Sequence, residues 1–225
     1  MNVVNFSGGK DSTAMLFLML EKKIPVDKIV CIDTSKEFPA MYRHIQQVQS
    51  MIDITIDIIP MDFDYWFEEH IKVKGKNKGQ KGYGWPGLFS RWCTGRKIDL
   101  IKSVTPEGST SFVGIAADEP TRWKKMIERD DTVRMPLFEW GMDEQQALDY
   151  CYNLGFHWDG LYKKVKRLSC WCCPLTNLTS LRMIYSDFPD IWQKLLDMDK
   201  KSCLPFRKDY TLDELTKKFA SRSKK

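Results

Sequence analysis

The sequence predicts an α/β fold in which a doubly wound parallel sheet of about five strands precedes a small helical lobe that carries cysteines. Three observations lead to this class. A glycine-rich turn joins an apolar stretch to an apolar helix at the N-terminus. Apolar, β-branched stretches then alternate with helical ones as far as Ile115. Beyond about residue 160 the chain has several cysteines and no β-branched run.

The N-terminal turn is the strongest motif. Residues 2–6 are predicted to form a buried strand and residues 13–20 an apolar helix. Between them lie Ser7, Gly8, Gly9, Lys10, Asp11 and Ser12. Such a turn leaves backbone N–H groups unpaired at the positive end of a helix dipole, and its glycines let the backbone approach an anion. The motif predicts a phosphate site with serine hydroxyls and a lysine charge; the alternative is an ordinary corner with a capping serine.

Three further strands follow the first helix. They are predicted at residues 28–33, 54–59 and 111–115. Helices are predicted between them at about residues 40–51 and 65–71, and a third helix is predicted to end at residue 102. Asp33 and Thr34 end the second strand, and a polar loop containing Asp118 and Arg122 follows the fourth. Because open parallel sheets bind ligands outside the carboxyl ends of their strands, these residues are expected near a ligand.

The region after the fourth strand is predicted to be mostly helical. Residues 135–140 are predicted to form a short extended piece, and Asp143 is expected to cap a helix that ends near Leu154. No internal repeat is present in the sequence.

Composition sets the broad class. The chain has 225 residues, of which 43% are hydrophobic and 29% charged, enough for one folded domain with an appendage. The net charge of +5 permits an anionic ligand or RNA without demanding one. No apolar run is long enough to span a bilayer, and no secretory leader is recognisable, so a cytoplasmic protein without a membrane partner is expected. Its oligomeric state stays open.

The stretch from residue 72 to residue 87 has five lysines, several glycines and almost no aliphatic side chains. This composition predicts a mobile loop. Three interpretations stay open: a solvated insertion, which we favour, a lid over bound nucleotide, and an RNA contact.

The cysteines form the second strong feature. Cys170 and Cys173 precede Pro174 in a tight turn that offers two thiolates to one metal. Cys93 is expected in a loop near the ligand edge, and Cys203 is the expected fourth ligand, with Cys172 in reserve. Spacing does not distinguish an iron–sulfur cluster from zinc. Unligated thiols and a redox pair of Cys170 and Cys173 are the alternatives, and Cys31 and Cys151 are predicted to be core thiols.

The order of these motifs resembles the phosphoadenosine phosphosulfate reductase family of the PP-loop superfamily over about residues 2–175. The markers are the turn at residues 7–12, Asp33-Thr34, Cys93 with Arg96-Lys97, Asp118-Glu119 with Arg122, Pro136-Leu137 with Trp140, and Cys170 with Cys173-Pro174. The resemblance implies a Rossmann-like sheet with an adenine nucleotide at its carboxyl edge. It also implies a nucleotide-binding domain at 1–160, on which a helical cysteine-bearing region, 161–225, packs.

Residue by residue, the resemblance implies phosphate contacts from Ser7, Gly8, Gly9, Lys10, Asp11 and Ser12. Asp33 and Thr34 would lie near the adenosine, and Arg122 would supply a second cation. Three departures stand out. Trp92 replaces one of two adjacent cysteines that bind the cluster in family members, Ala116 stands where the reductases have an arginine, and residues 217–225 lack the nucleophilic cysteine of their C-terminal tail.

Three functions follow from this pattern. The first is ATP pyrophosphatase chemistry that adenylylates an acceptor, linked to sulfur transfer or nucleic-acid modification, with Lys10, Asp11 and Arg122 as catalytic residues. Mg²⁺ would bridge the phosphates, held by Asp11 or Asp118, although either acid could instead cap a helix or loop. The second is reduction of a sulfated adenosine phosphate, and the third is nucleotide binding without chemistry. The departures favour ATP, with a nucleic acid or a sulfur carrier as acceptor.

Overall fold

The computed structural model describes residues 1–88 and 90–222. Within these residues the strands form one five-stranded, all-parallel sheet with the order β3-β2-β1-β4-β5. The strands are β1 (Asn2–Asn5), β2 (Lys28–Asp33), β3 (Ile56–Pro60), β4 (Thr110–Val113) and β5 (Val133–Arg134). The predicted α/β class, with a parallel sheet of about five strands, is confirmed.

Strand β1 lies at the centre of the sheet. Its Val4 pairs with Ile29 of β2 on one side and with Phe112 of β4 on the other. Val3 and Val4 are completely buried, which explains why this strand is apolar on both faces. The strand order changes direction between β1 and β4, so the carboxyl end of β1 is the switch point at which such sheets bind ligands.

The helices cover the sheet and build the C-terminal region. In the described residues they are α1 (Lys10–Glu21), α2 (Pro39–Ser50), α3 (Trp92–Val104), α4 (Pro120–Ile127), α5 (Pro136–Glu139), α6 (Glu144–Asn153), α7 (Leu178–Asp187), α8 (Pro189–Lys201) and α9 (Leu212–Arg222). A single π-helical turn spans Tyr65–Glu69 and a kinked 3₁₀ segment spans Trp158–Lys163. No helix in this part of the chain has both the length and the apolarity that a bilayer span requires.

Three elements differ from those predicted. The extended piece expected at residues 135–140 is the helix α5, and the fifth strand lies just before it at Val133–Arg134. The last residues of the predicted loop 116–122 form the first turn of the helix α4. Both helices begin with proline, whose fixed φ and missing N–H suit the first helical position. The helix expected at residues 65–71 is only the π-helical turn, whereas the cap predicted at Asp143 is present as a capping box.

The chain divides into two compact units. The first comprises Met1–Asp33, Phe38–Pro60 and Lys97–Leu161, and the second comprises Thr34–Glu37, Met61–Arg96 and the residues from Tyr162 onward. A boundary near residue 160 is expected from the sequence, which however assigns residues 61–96 to the nucleotide-binding part. In the structure these residues cluster with the C-terminal region.

Aromatic packing explains this division. Trp85 contacts Phe67 and Phe206 with ring centroids 4.7 and 4.9 Å apart, and its indole Nε1 donates a hydrogen bond of 2.7 Å to Asp199. Phe67, Trp85 and Phe206 are each almost completely buried. Contacts between residues so distant in sequence produce no hydrophobic periodicity within one segment. Residues 61–96 therefore resemble an insertion in the sequence, although in the structure they form part of a core.

Candidate functional site

The glycine-rich turn lies at the switch point of the sheet, between the end of β1 and Lys10, the first residue of α1. Gly8 has φ +74°, a conformation that side chains disfavour. A Cβ atom at Gly8 would also lie 3.2 Å from Cγ1 of Ile45 and 3.3 Å from Cε of Met41. Both the backbone conformation and the close packing of α2 therefore require glycine at this position.

The two serines of the turn have different surroundings. The Oγ atom of Ser12 is buried, accepts the backbone N–H of Ser7 at 3.2 Å and lies 3.0 Å from the carbonyl of Gly9. Ser7 is exposed, and its Oγ lies 3.0 Å from that of Ser12. Ser12 therefore closes the loop internally, while Ser7 is the hydroxyl that solvent or a ligand can reach.

Both glycine carbonyls of the turn are held by buried donors. The indole Nε1 of Trp158 donates to the carbonyl of Gly8 at 2.8 Å, and Thr13 Oγ1 donates to that of Gly9 at 3.0 Å. Carbonyl oxygens repel phosphate, and here they are directed into the protein. No side chain caps α1 at Gly9 in the described residues, and the carboxylate in the first turn is that of Asp11, which is paired with Lys10. The turn has the backbone arrangement of an anion site.

His44 supports this arrangement from α2. Its Nε2 lies 2.8 Å from Thr13 Oγ1, and its ring centroid lies 4.2 Å from that of Trp158. The single hydroxyl proton of Thr13 is donated to the carbonyl of Gly9, so Thr13 Oγ1 can only accept from His44. This assigns the ring proton of His44 to Nε2, which donates to Thr13 Oγ1. His44 is only 3% exposed, and burial lowers its pKa to about 3, so the imidazole is neutral at physiological pH. The sequence does not reveal Trp158 or His44 as site residues.

Lys10 is buried in a group of charged side chains. Its Nζ lies 2.7 Å from Oδ1 of Asp11 and 3.4 Å from Oε2 of Glu144 on α6, and the side chain is 5% exposed. Burial raises the pKa of Asp11, while the charge and hydrogen bond of Lys10 oppose this shift. The sequence predicts a mobile phosphate-binding lysine; in this structure the ammonium group is paired with carboxylates.

Gly114 is a second glycine of the site that the sequence does not single out. It follows β4, and a Cβ atom there would lie 2.7 Å from the backbone nitrogen of Ser12 and 2.8 Å from the carbonyl carbon of Asp11. Backbone atoms cannot move aside as a flexible side chain can, so only glycine allows the end of β4 to approach the first turn of α1.

The remaining predicted residues of the first unit lie at or after the carboxyl ends of β2 and β4: Asp33 is the last residue of β2, Asp118 follows β4, and Arg122 lies in α4. Asp33 accepts a hydrogen bond of 2.8 Å from the hydroxyl of Tyr42. Asp118 accepts the backbone N–H of Glu144 at 3.1 Å, a capping contact. Arg122 is in the first turn of α4 and pairs with Glu119. The carboxylate of Asp118 is thus engaged in structure, and that of Asp11 in an ion pair.

In the second unit, Thr34 and Cys170 come together with a residue that the sequence does not single out. The thiol of Cys170 donates to Oε1 of Glu37 at 3.0 Å, and Thr34 Oγ1 lies 3.4 Å from the same carboxylate oxygen and 3.7 Å from the sulfur. The backbone supports this contact, because the N–H of Trp171 donates to the carbonyl of Lys36 at 2.8 Å.

All seven cysteines lie in the described residues, and none of them is in a disulfide bond. Cys31 and Cys151 are buried in the first unit, and burial raises the pKa of Cys151 to about 12, as expected for a core thiol. Cys172 is completely buried, which raises the pKa of its thiol as well.

The structure does not assemble a metal centre from the predicted ligands. Cys93 lies in the first turn of α3 rather than in a loop, and Cys203 is exposed with its sulfur 3.9 Å from the carbonyl of Gly82. Among the described residues, no three His, Cys, Asp or Glu side chains form a group that could hold a metal ion. A four-cysteine cluster of Cys93, Cys170, Cys173 and Cys203 stays a prediction.

Comparison with known proteins places this site in a family. The model of the phosphoadenosine phosphosulfate reductase domain matches residues 1–176. The chain is 28% identical over 207 residues to the uncharacterized protein MJ0066 of Methanocaldococcus jannaschii, covering 85% of this chain and 40% of that protein. It is 27% identical over 183 residues to the uncharacterized nin region protein ORF290 of Escherichia phage lambda, covering 68% of this chain and 63% of that protein. The chain therefore spans less than two thirds of the length of either relative.

A solved structure shows a more distant similarity. It is the U34-tRNA thiolase NcsA from Methanococcus maripaludis with its 4Fe–4S cluster, with 14% sequence identity and a TM-score of 0.45, covering 99% of this chain and 71% of that chain. The family match, in contrast, extends from the β1–α1 turn through the turn that contains Cys170 and Cys173. The chain therefore belongs to the phosphoadenosine phosphosulfate reductase family.

Proposed function

We propose that the first unit binds ATP at the turn formed by residues 7–12 and that the protein cleaves the bond between the α and β phosphates. An oxygen atom of the acceptor attacks the α-phosphorus, the α–β bond breaks, and pyrophosphate leaves. The acceptor then carries an adenylyl group, which a later sulfur or nitrogen nucleophile displaces as AMP. This chemistry would serve sulfur transfer or nucleic-acid modification.

The observation that carries the proposal is the orientation of the glycine carbonyls in the turn. The carbonyls of Gly8 and Gly9 accept hydrogen bonds from buried groups, and the helix dipole of α1 begins at the next residue. Positioning and charge neutralisation supply most of the catalysis of phosphoryl and adenylyl transfer. In this proposal Lys10 leaves its carboxylate partners for the phosphates, Ser7 donates its hydroxyl, and Arg122 neutralises further charge.

Mg²⁺ would accompany the nucleotide. It needs only one or two protein carboxylates when phosphates supply the other oxygens. Asp11 is the carboxylate on the turn itself, and transfer of Lys10 to the phosphates would release it for the metal. Asp118 is less suited to this role, since it already caps the backbone at Glu144.

The thiols of the first unit favour ATP over a sulfated adenosine phosphate. Reduction of a sulfonucleotide needs a thiolate that attacks sulfur. In the described part of this unit the cysteines are Cys31 and Cys151, both buried, and the pKa of Cys151 is far above physiological pH. Ala116, at the position where the reductases have an arginine, is completely buried and carries no charge.

Reduction of a sulfated adenosine phosphate is the second candidate, because the family model that matches the chain is that of the reductase domain. One experiment separates the two functions. Purified protein is given ATP with Mg²⁺, labelled pyrophosphate and an acceptor (total cellular RNA, DNA or a sulfur-carrier protein) and, separately, both sulfated adenosine phosphates with thioredoxin as reductant. We expect exchange of labelled pyrophosphate into ATP, loss of this exchange in the Lys10→Ala variant, and no sulfite. Sulfite release without pyrophosphate exchange would reverse the order of the two candidates.

A further inference from the structure

A lysine-rich hairpin stands out on the second unit. Between Lys72 and Lys81 the chain has five lysines and no acidic residue. Ile71 and Lys81 form an antiparallel bridge, the N–H of Lys72 donates to the carbonyl of Gln80 at 3.0 Å, and the N–H of Gly79 donates to the carbonyl of Lys72 at 2.8 Å. We call residues 71–81 the basic hairpin. The sequence predicts a mobile loop here, whereas the structure contains a hydrogen-bonded hairpin.

The lysines at the ends of the basic hairpin have partners within the described residues, whereas those at its tip pair with no acidic side chain there. Lys81 pairs with Glu69 at 2.8 Å, and Nζ of Lys72 lies 5.9 Å from the centre of the Tyr83 ring. Lys74, Lys76 and Lys78 are exposed, and no acidic side chain in the described parts of the chain pairs with any of them. Three like charges within five residues repel one another, so their clustering is unfavourable for the isolated fold.

An aromatic stack adjoins the base of the basic hairpin. Its members are Trp66, His70 and Tyr83, all half-buried, with centroid distances of 4.3 Å from Trp66 to His70 and 5.1 Å from His70 to Tyr83. The guanidinium of Arg96 lies 4.8 Å from the centre of the Trp66 ring. Backbone hydrogen bonds tie the stack to the hairpin, since the N–H of Gly82 donates to the carbonyl of His70 at 2.9 Å.

Ion pairs neutralise the acidic side chains next to this stack. Glu69 pairs with Lys81 at 2.8 Å and Glu68 pairs with Lys201 at 3.2 Å. The three lysines at the tip therefore leave a positive field beside flat, partly accessible rings. Proteins that bind single-stranded nucleic acid combine these two features, because cations track the phosphates and aromatic or guanidinium planes stack on the bases.

We propose that the basic hairpin and the aromatic stack bind a single-stranded nucleic acid, which is the acceptor of the adenylyl group; this last role rests on the proposed function. The stack favours nucleic acid over an anionic membrane. Adsorption to a membrane surface uses an amphipathic helix with a broad apolar face, whereas this surface is a short hairpin with two exposed apolar side chains, Ile71 and Val73, beside planar rings. RNA and DNA share the chemistry that such a surface recognises, so both are tested.

The test measures fluorescence anisotropy of labelled single strands of about 20 nucleotides, one of RNA and one of DNA, from about 50 to 200 mM salt. The variant combines Lys74→Gln, Lys76→Gln and Lys78→Gln. We expect its affinity to fall about tenfold, and the slope of log K against log salt to decrease in magnitude by about 2, since each phosphate contact on a single strand contributes about 0.7. A control that combines Lys23→Gln, Lys124→Gln and Lys125→Gln removes the same charge from the first unit and should bind as the wild type does.

A second variant tests stacking. Trp66→Leu should weaken binding about tenfold while the salt slope stays at the wild-type value, because it removes a stacking plane and no charge. Equal losses in the lysine variant and its control would overturn the proposal, as would binding to vesicles of anionic lipid but not to either strand. These measurements need no ATP, so nucleic-acid binding without pyrophosphate exchange would refute the proposed function alone.

Discussion

The indole nitrogen of Trp158 donates a 2.8 Å hydrogen bond to the carbonyl of Gly8, a residue 150 positions earlier in the chain. Trp158 itself has φ +43°, an uncommon backbone conformation for a large side chain. This conformation and the stacking of its ring on His44 hold the donor beneath the turn. The contact orients the Gly8 carbonyl away from the position that a phosphate would occupy.

Replacement of Trp158 by phenylalanine should selectively weaken phosphate binding. The Trp158→Phe variant keeps an aromatic ring but loses the N–H donor, so the Gly8 carbonyl is free to turn outward. A net hydrogen-bond contribution of about 1 kcal/mol corresponds to an approximately fivefold loss of ATP affinity. Adenosine, which has no phosphates, should bind with unchanged affinity. Isothermal titration calorimetry of the variant and the wild type with both ligands measures these affinities.

A matched control removes a different hydrogen bond from the same unit. Tyr150 donates its hydroxyl to Glu21 at the far end of α1, and Tyr150→Phe removes only that bond. We expect both ligands to bind this variant as they bind the wild type. An equal loss of ATP and adenosine affinity in Trp158→Phe would mean that the indole merely supports the fold.

His44 should make the stability of the protein depend on pH. Its pKa is about 3 in the folded protein and 6.5 when unfolded, because burial disfavours the charged ring. The stabilising contribution of neutral His44 is therefore complete above pH 6.5 and is lost as the pH falls toward 3. Between pH 7 and pH 5 this loss amounts to about 2 kcal/mol. Urea unfolding at several pH values measures the effect.

The His44→Gln variant isolates that contribution. A glutamine amide has a donor for Thr13 but does not titrate in this range, so the free energy of unfolding should vary with pH by about 2 kcal/mol less than in the wild type. Parallel pH profiles for the two proteins would show that His44 is already accessible to protons in the folded state.

Gly114→Ala should damage the turn through the backbone. A Cβ atom would lie 2.7 Å from the nitrogen of Ser12, so either β4 or the first turn of α1 must shift. We expect a loss of about 1–3 kcal/mol in the free energy of unfolding together with weaker ATP binding. The control is Gly95→Ala in α3, where a Cβ atom would meet nothing within 4 Å and alanine should stabilise the helix by about 0.5–1 kcal/mol. Equal stability of the two variants would contradict the close approach.

Lys10 and Glu144 should affect ATP binding in opposite directions. Removal of the phosphate-binding cation in Lys10→Ala should lower ATP affinity about tenfold or more. Glu144→Gln removes one of the carboxylates that compete for the ammonium group, 3.4 Å away, and should raise ATP affinity up to about fivefold. Titration of both variants with ATP and adenosine provides the measurement. Unchanged ATP affinity in Lys10→Ala would show that the turn is only a structural corner.

Local patterns in the sequence predict the main elements of the fold and the centre of the site. The alternation of apolar strands and helices predicts the parallel sheet because each element needs a buried face whose period is visible in the sequence. The turn at residues 7–12 is recognisable because its glycines, lysine and serines adjoin one another in the chain. The same holds for Asp143, whose cap on α6 involves residues only three positions apart.

Contacts between distant segments determine the rest. Trp158, His44, Gly114 and Glu37 take part in the candidate sites only because folding brings them to Gly8, Thr13, Ser12 and Cys170. The spacing of Cys170 and Cys173 predicts a chelating turn, yet whether other cysteines join it depends on packing that no spacing encodes. The sequence predicts Lys10 to be a mobile cation, but the packing of α6 against this region places Glu144 beside it. A sequence records which groups are available, whereas burial and pairing depend on three-dimensional neighbours, and these set the charge state and direction of each group.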